Sequence, residues 1–164
     1  MPKQKRLIPE FYELAVKHIM DKRVWDLPLV EKDVDIHNIL SILRGKSHIW
    51  VVKNKESKEL VGVITENDVL SALAPKRFIS YVVGIIDIRS IQQGTVETAE
   101  KIMSDKVISC KPDDKILDVL QKMMSYKLRR LPVVVDNRII GEITLHHLIR
   151  KYYAATQYYP IKGD

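Results

Sequence analysis

Apolar and polar positions alternate along this chain in two rhythms, and the same order of rhythms occurs twice. Val34, Ile36, Ile39, Leu40, Ile42 and Leu43 recur at helical spacing, as do Ile116, Leu117, Val119, Leu120, Met123 and Met124. Asp33 and Asp113 precede these runs and are expected to cap the two helices. Two β-branched runs follow each helix. Ile49-Trp50-Val51-Val52 and Leu60-Val61-Gly62-Val63-Ile64-Thr65 in the first copy match Leu131-Pro132-Val133-Val134 and Ile139-Ile140-Gly141-Glu142-Ile143-Thr144 in the second. Each pair reads as a hairpin, with a loose turn from Lys53 to Glu59 in the first and a tight one at Asp136-Asn137 in the second. Each copy closes with a helix, at Asp68 to Leu73 and at His147 to Tyr152.

The elements ahead of the helices are duplicated as well. His18-Ile19-Met20-Asp21 answers Lys101-Ile102-Met103-Ser104, and the short apolar run Leu27-Pro28-Leu29-Val30 answers Val107-Ile108-Ser109-Cys110. Each copy is thus strand, helix, strand, strand, helix, an α/β fold of the α+β type. One copy is too small to bury its own apolar faces, so two are expected to share a core about a pseudo-twofold axis. The organisation expected is a lead-in at 1–15, amphipathic as far as Met20, then repeat one at 16–74 and an apolar connection at 75–95. Repeat two at 96–155 and a tail at 156–164 follow. Phe78, Ile79, Val82, Val83, Ile85 and Ile86 make the connection either an extra helix on the core or a self-association surface.

Composition narrows the setting. The chain has 164 residues, 46% hydrophobic and 29% charged, which excludes a disordered or linker-dominated polypeptide. Its one cysteine, Cys110, excludes an intrachain disulfide and a cysteine-rich zinc site, and a reducing cytoplasm is the expected location. The apolar stretch from Phe78 to Ile91 is broken by Asp87 and Arg89 and falls short of a membrane span. Lys and Arg number 27 against 21 Asp and Glu, and the net charge of +6 favours anionic partners without choosing among them. No His-Glu-x-x-His, phosphate-loop lysine motif or Gly-x-Ser-x-Gly is present, and adjacent His146 and His147 make a poor metal pair, so neither catalysis nor a metal site is expected.

Taken together, the duplicated Ile-Met lead-ins, Leu131-Pro132-Val133-Val134 and Gly62-Val63-Ile64-Thr65-Glu66-Asn67-Asp68 resemble a pair of cystathionine-beta-synthase (CBS) domains, over roughly residues 16 to 153. The resemblance implies a non-enzymatic regulatory or sensor module, with an adenosine-containing ligand such as AMP, ADP, ATP or S-adenosylmethionine held in a cleft between the repeats. It also implies a homodimer and a regulated partner protein, and no resident cofactor.

The same resemblance assigns residues. Thr65 would touch phosphate and Asp68 would accept from ribose hydroxyls. Arg129 and Arg130 fall where the family carries a phosphate-reaching His-Arg pair, with Ser47 and His48 as the weaker counterpart. Ile108, Ser109 and Cys110 would face adenine, and Val63 would line the pocket. The second copy departs from the pattern: Thr144 keeps the threonine, but His147 stands in place of Asp, and Glu142 is an odd neighbour for phosphate. A helix N-terminus suits an anion, yet Thr65-x-x-Asp68 reads equally as a capping box. Two other classes stay open. One is nucleic-acid binding through Lys3, Lys5, Arg6 and the Lys127 to Arg130 patch; the other is a structural dimerisation module.

Overall fold

A computed structural model describes residues 8–73 and 98–158. In chain order these form α1 (Pro9–Glu13), β1 (Leu29–Glu31), α2 (Ile36–Leu43), β2 (His48–Val52), β3 (Leu60–Thr65) and α3 (Glu66–Leu73). After the connection come α4 (Ala99–Ile102), α5 (Ile116–Tyr126), β4 (Arg130–Val135), β5 (Arg138–Thr144) and α6 (Leu145–Tyr158). Short 3-10 turns lie at Val16–His18 and Val24–Asp26. The apolar connection expected at 75–95, residues 1–7 of the lead-in and residues 159–164 of the tail lie outside the described residues.

The chain divides into two compact units, and each takes its parts from both repeats. One unit is Leu27–Val107; the other joins Met1–Asp26 to Ile108–Asp164.

In the Leu27–Val107 unit the sheet order is β1-β2-β3, with β1 parallel and β3 antiparallel to β2. All five residues of β2 are buried, as expected of a strand with neighbours on both edges and cover on both faces. Ile39 of α2, Val69 of α3 and Ala99 of α4 close on Val30, Ile49, Val51 and Ile64 to form the core. The cap of α2 is Asp35, whose Oδ1 accepts the Asn38 N–H at 2.9 Å, and not the expected Asp33. The helix starts at Ile36, so Asp33 lies too far back to reach the first free N–H groups.

In the other unit β4 and β5 pair antiparallel through the tight turn expected at Asp136-Asn137, where both residues have positive φ, 49° and 62°. Helix α5 ends on Lys127 in the left-handed conformation, φ 55°. Its start is held by Asp118, whose Oδ2 accepts the Lys115 N–H at 3.4 Å. The expected cap, Asp113, instead pairs with Lys17 at 2.8 Å. Val16 N–H donates to Asp114 O and Ile116 N–H to Leu14 O, both at 2.9 Å, which ties the lead-in to the start of α5. Phe11, Val16 and Met20 thereby join Ile116, Val119, Met123, Leu131, Val133, Ile143 and Leu148 in one core. Each fully buried aliphatic side chain contributes on the order of 1.5–3 kcal/mol.

The strand expected at Val107 to Cys110 shrinks to one bridge, Cys110 with Val133. Cys110 N–H donates to Pro132 O and Val134 N–H to Cys110 O. The next rung of a parallel ladder would need an N–H from residue 132, and proline has none. In the first repeat Trp50 occupies the matching position and donates to Pro28 O at 2.8 Å, so β1 survives there as a strand.

Candidate functional site

Among the described residues each unit carries one turn at which a strand runs directly into a helix, and the two turns share one frame. In the first, β3 ends at Thr65 and α3 begins at Glu66. Thr65 pairs across the ladder with His48. In the second, β5 ends at Thr144, α6 begins at Leu145, and Thr144 pairs with Arg130. Both hairpins shift register just beyond this pair, at Val51/Val52 and at Val133/Val134. The residue after each landmark glycine is bridged to a lead-in, Val63 to Ser104 and Glu142 to Asp21.

At the first turn Asp68 Oδ2 accepts the Thr65 N–H at 2.7 Å and the Thr65 hydroxyl at 2.9 Å. The capping arrangement is therefore formed. It leaves Thr65 Oγ1 with lone pairs rather than a free proton, and it leaves Asp68 Oδ1 without a hydrogen bond among the described residues. His48 is buried beside them, its ring edge-on to Trp50 with centroids 5.0 Å apart. Val63 exchanges both backbone hydrogen bonds with Ser104, at 3.0 and 2.9 Å, so only its side chain is available to line a site.

At the second turn the roles are redistributed. His147 Nδ1 accepts the Thr144 N–H at 3.2 Å, and the His147 N–H donates to Thr144 Oγ1 at 3.1 Å. The ring must be neutral at Nδ1 to accept, and its pKa is held below 6.5, chiefly by burial. Glu142 and Asp21 pull the other way, while Arg150 and His146 add to the lowering. Glu142 is only 8% exposed. Asp21 is gripped by Arg23 through Nε at 3.1 Å and Nη2 at 2.9 Å, and these bonds hold its carboxyl below its ordinary 3.8.

The remaining expected site residues all lie in this second unit, which the structure divides between two places. Arg129 is exposed and its carbonyl accepts the Leu145 N–H at 2.8 Å, while Arg130 sits half-buried opposite Thr144. Ile108 packs against the core. The Ser109 carbonyl accepts from Lys122 Nζ at 2.9 Å. Cys110 is buried, its Sγ 3.7 Å from Pro132 O, and its pKa is pushed up to about 12, by burial first and by Asp114 second. Such a thiol is a small apolar residue, not a nucleophile.

Sequence reasoning did not find the Asp21–Arg23 pair or Ser104 as companions of these turns. The duplicated lead-ins were the available signal, but spacing along the chain does not say which hairpin each one meets. Among the described residues no group of three His, Cys, Asp or Glu side chains could hold a metal ion. No helix among them is long and apolar enough to cross a membrane.

A family model described as the CBS domain matches residues 16–75 and 99–154. The chain is 28% identical over 119 residues to the CBS domain-containing protein CBSX3, mitochondrial, of Arabidopsis thaliana, covering 73% of this chain and 48% of that protein. It thus spans about half, or less, of the length of the first curated relatives it matches. Among solved structures it resembles in fold CBSX2 of Arabidopsis thaliana in complex with AMP, with a TM-score of 0.65 and 23% identity over 88% of this chain and 98% of that one. It also resembles the CBS domain pair of protein MJ0100 in complex with 5′-methylthioadenosine and S-adenosyl-L-methionine. That match has a TM-score of 0.62 and 26% identity over 87% of this chain and 98% of that one.

Proposed function

The chain belongs to the CBS domain family, and on that premise we propose that it is a regulatory module that binds an adenosine-containing ligand and performs no chemistry on it. The observation that carries this reading is the pairing of Thr65 and Asp68 where β3 runs into α3, with His48 beside them. The start of α3 offers backbone N–H groups and partial positive charge to a phosphate. Asp68 Oδ1 can accept from vicinal hydroxyls while Oδ2 keeps the cap. Arg130, opposite Thr144, and Arg129 beside it supply charge whose forked geometry suits phosphate oxygens. The ligands named for the MJ0100 domain pair support an adenosine-type ligand here. Ile108, Ser109, Cys110 and Val63 remain the proposed adenine-side residues, a homodimer the proposed assembly, and the cytoplasm the proposed location.

Ligand can regulate only if it binds one arrangement of the protein more tightly than another. The test is a thermal-shift and calorimetric screen of the full chain with AMP, ADP, ATP, S-adenosylmethionine and 5′-methylthioadenosine. Saturation at about 100 times Kd stabilises a fold by ~2.7 kcal/mol, which for a chain of this size raises Tm by several degrees. No shift and no heat with any of these at millimolar concentration overturns the reading.

A further inference from the structure

We propose that His147 is a proton-operated gate on Thr144: neutral, its ring occupies the Thr144 N–H; protonated, it releases that N–H to an anionic ligand. The ligand arm rests on the adenosine-ligand reading above; the gate itself rests on geometry.

The two turns are built alike but closed by different acceptors. Asp68 closes the first with a carboxylate oxygen that accepts both the N–H and the hydroxyl of Thr65. His147 closes the second through Nδ1, and a nitrogen that gains a proton can no longer accept. Protonation sets N–H against N–H at a separation of 3.2 Å, so the ring has to turn away. The surrounding charges act on the protonated ring in both directions. Glu142 on β5 and Asp21 on the lead-in both favour the charged ring. Of the two, buried Glu142 is the stronger attraction and Asp21, paired with Arg23, the weaker. Arg150 and His146 on α6 oppose the charge, and Arg130 on β4 stands across the ladder from Thr144.

Two changes therefore coincide as the ring takes up a proton. The Thr144 N–H is freed, and a positive charge appears beside Glu142, offsetting the carboxylate that would repel a phosphate. Linkage fixes the direction: if acid favours the ligand, the ligand must raise the pKa of His147 by the same coupling. Burial keeps the ring neutral at pH 7, so the gate is closed there and opens on acidification.

The experiment combines NMR titration of the full chain with calorimetry of AMP at about pH 7.5 and about pH 5.5. The His147 ring and the Thr144 amide are followed in the wild type and in His147→Gln. Gln at this position keeps the acceptor of a capping box and does not titrate. The expected result is a Thr144 amide that titrates with the His147 midpoint in the wild type and not in the variant. AMP affinity should rise on acidification about 5-fold or more beyond the rise seen in His147→Gln, where the ionisation of AMP itself is common to both. The His147 midpoint should also rise when AMP is saturating. A Thr144 amide indifferent to His147 overturns the gate, whatever AMP does. A titrating amide with equal pH slopes of AMP affinity in both proteins overturns the coupling to ligand. A titrating amide with no AMP binding at either pH upholds the gate, and it is then the adenosine reading that fails.

Discussion

One oxygen of Asp68 holds both the N–H and the hydroxyl of Thr65, at 2.7 and 2.9 Å. A single carboxylate oxygen thus fixes the entry to α3, and the second oxygen is the one the proposed ligand would engage. Asp68→Ala should lower stability by about 1 kcal/mol, the usual cost of a lost cap. It should also weaken adenosine-ligand binding more than His147→Ala does. Asp68→Asn keeps an acceptor and should recover most of the stability. Urea denaturation with calorimetry on the three variants checks both halves of the expectation.

Gly141 and Gly62 lie in matching strands, but a Cβ would meet different neighbours. At Gly141 it would strike the Asp21 carbonyl oxygen and Met20 Cε; at Gly62 it would strike the Met103 side chain. Methionine can repack, whereas a carbonyl held in the Asp21–Glu142 bridge cannot move without breaking hydrogen bonds. Gly141→Ala should therefore cost more than Gly62→Ala, within the ~1–3 kcal/mol typical of overpacking. Chemical denaturation of the pair decides the order.

Stability should fall on mild acidification, and His147 sets the first step. Its folded pKa lies below the ordinary 6.5, so the unfolded chain binds the proton first. The stabilisation is complete above pH 6.5 and is lost as pH falls through the folded pKa. Asp21 acts lower: held below 3.8 by Arg23, it adds stability that is present above that value and is lost as pH falls through its folded pKa. The urea midpoint of the wild type should drop more between neutral pH and pH 5 than that of His147→Gln.

Cys110 should be inert in the folded protein. With its pKa near 12, the thiolate fraction at pH 8 is on the order of one in ten thousand, and the sulfur is buried as well. A thiol-specific reagent should leave it unmodified under native conditions and modify it fully in denaturant.

Much of this fold was written in local patterns. The hairpins followed from β-branched runs, and the Asp136-Asn137 turn from residues that tolerate positive φ. Caps were less legible: Asp33 and Asp113 were expected, and Asp35 and Asp118 hold the helix starts. Asp33 and Asp35 both precede α2, and Asp113 and Asp114 precede α5 while Asp118 lies in its first turn; only the backbone says which one reaches an N–H. The weak strand at Cys110 had a readable cause in Pro132, but the missing rung has meaning only once its partner is known. At the candidate site the family resemblance named Thr65 and Asp68 and marked Thr144 and His147 as the variant pair, whereas spacing alone read as a capping box. The contribution of Asp21 and Ser104 was not.

The duplication, the hairpin that runs into a helix in each copy, and the exchange of an aspartate for His147 in the second copy are all legible along the chain. The tertiary structure alone decided which lead-in meets which hairpin. Met20 of the first lead-in lies against Gly141 of the second repeat, and Met103 of the second lies against Gly62 of the first. Both lead-ins read Ile-Met and both hairpins present a glycine, so either match satisfies the same local pattern. The choice rests on long-range burial and on the Asp21–Glu142 and Val63–Ser104 bridges, which join residues 121 and 41 positions apart and leave no trace in the spacing of either segment.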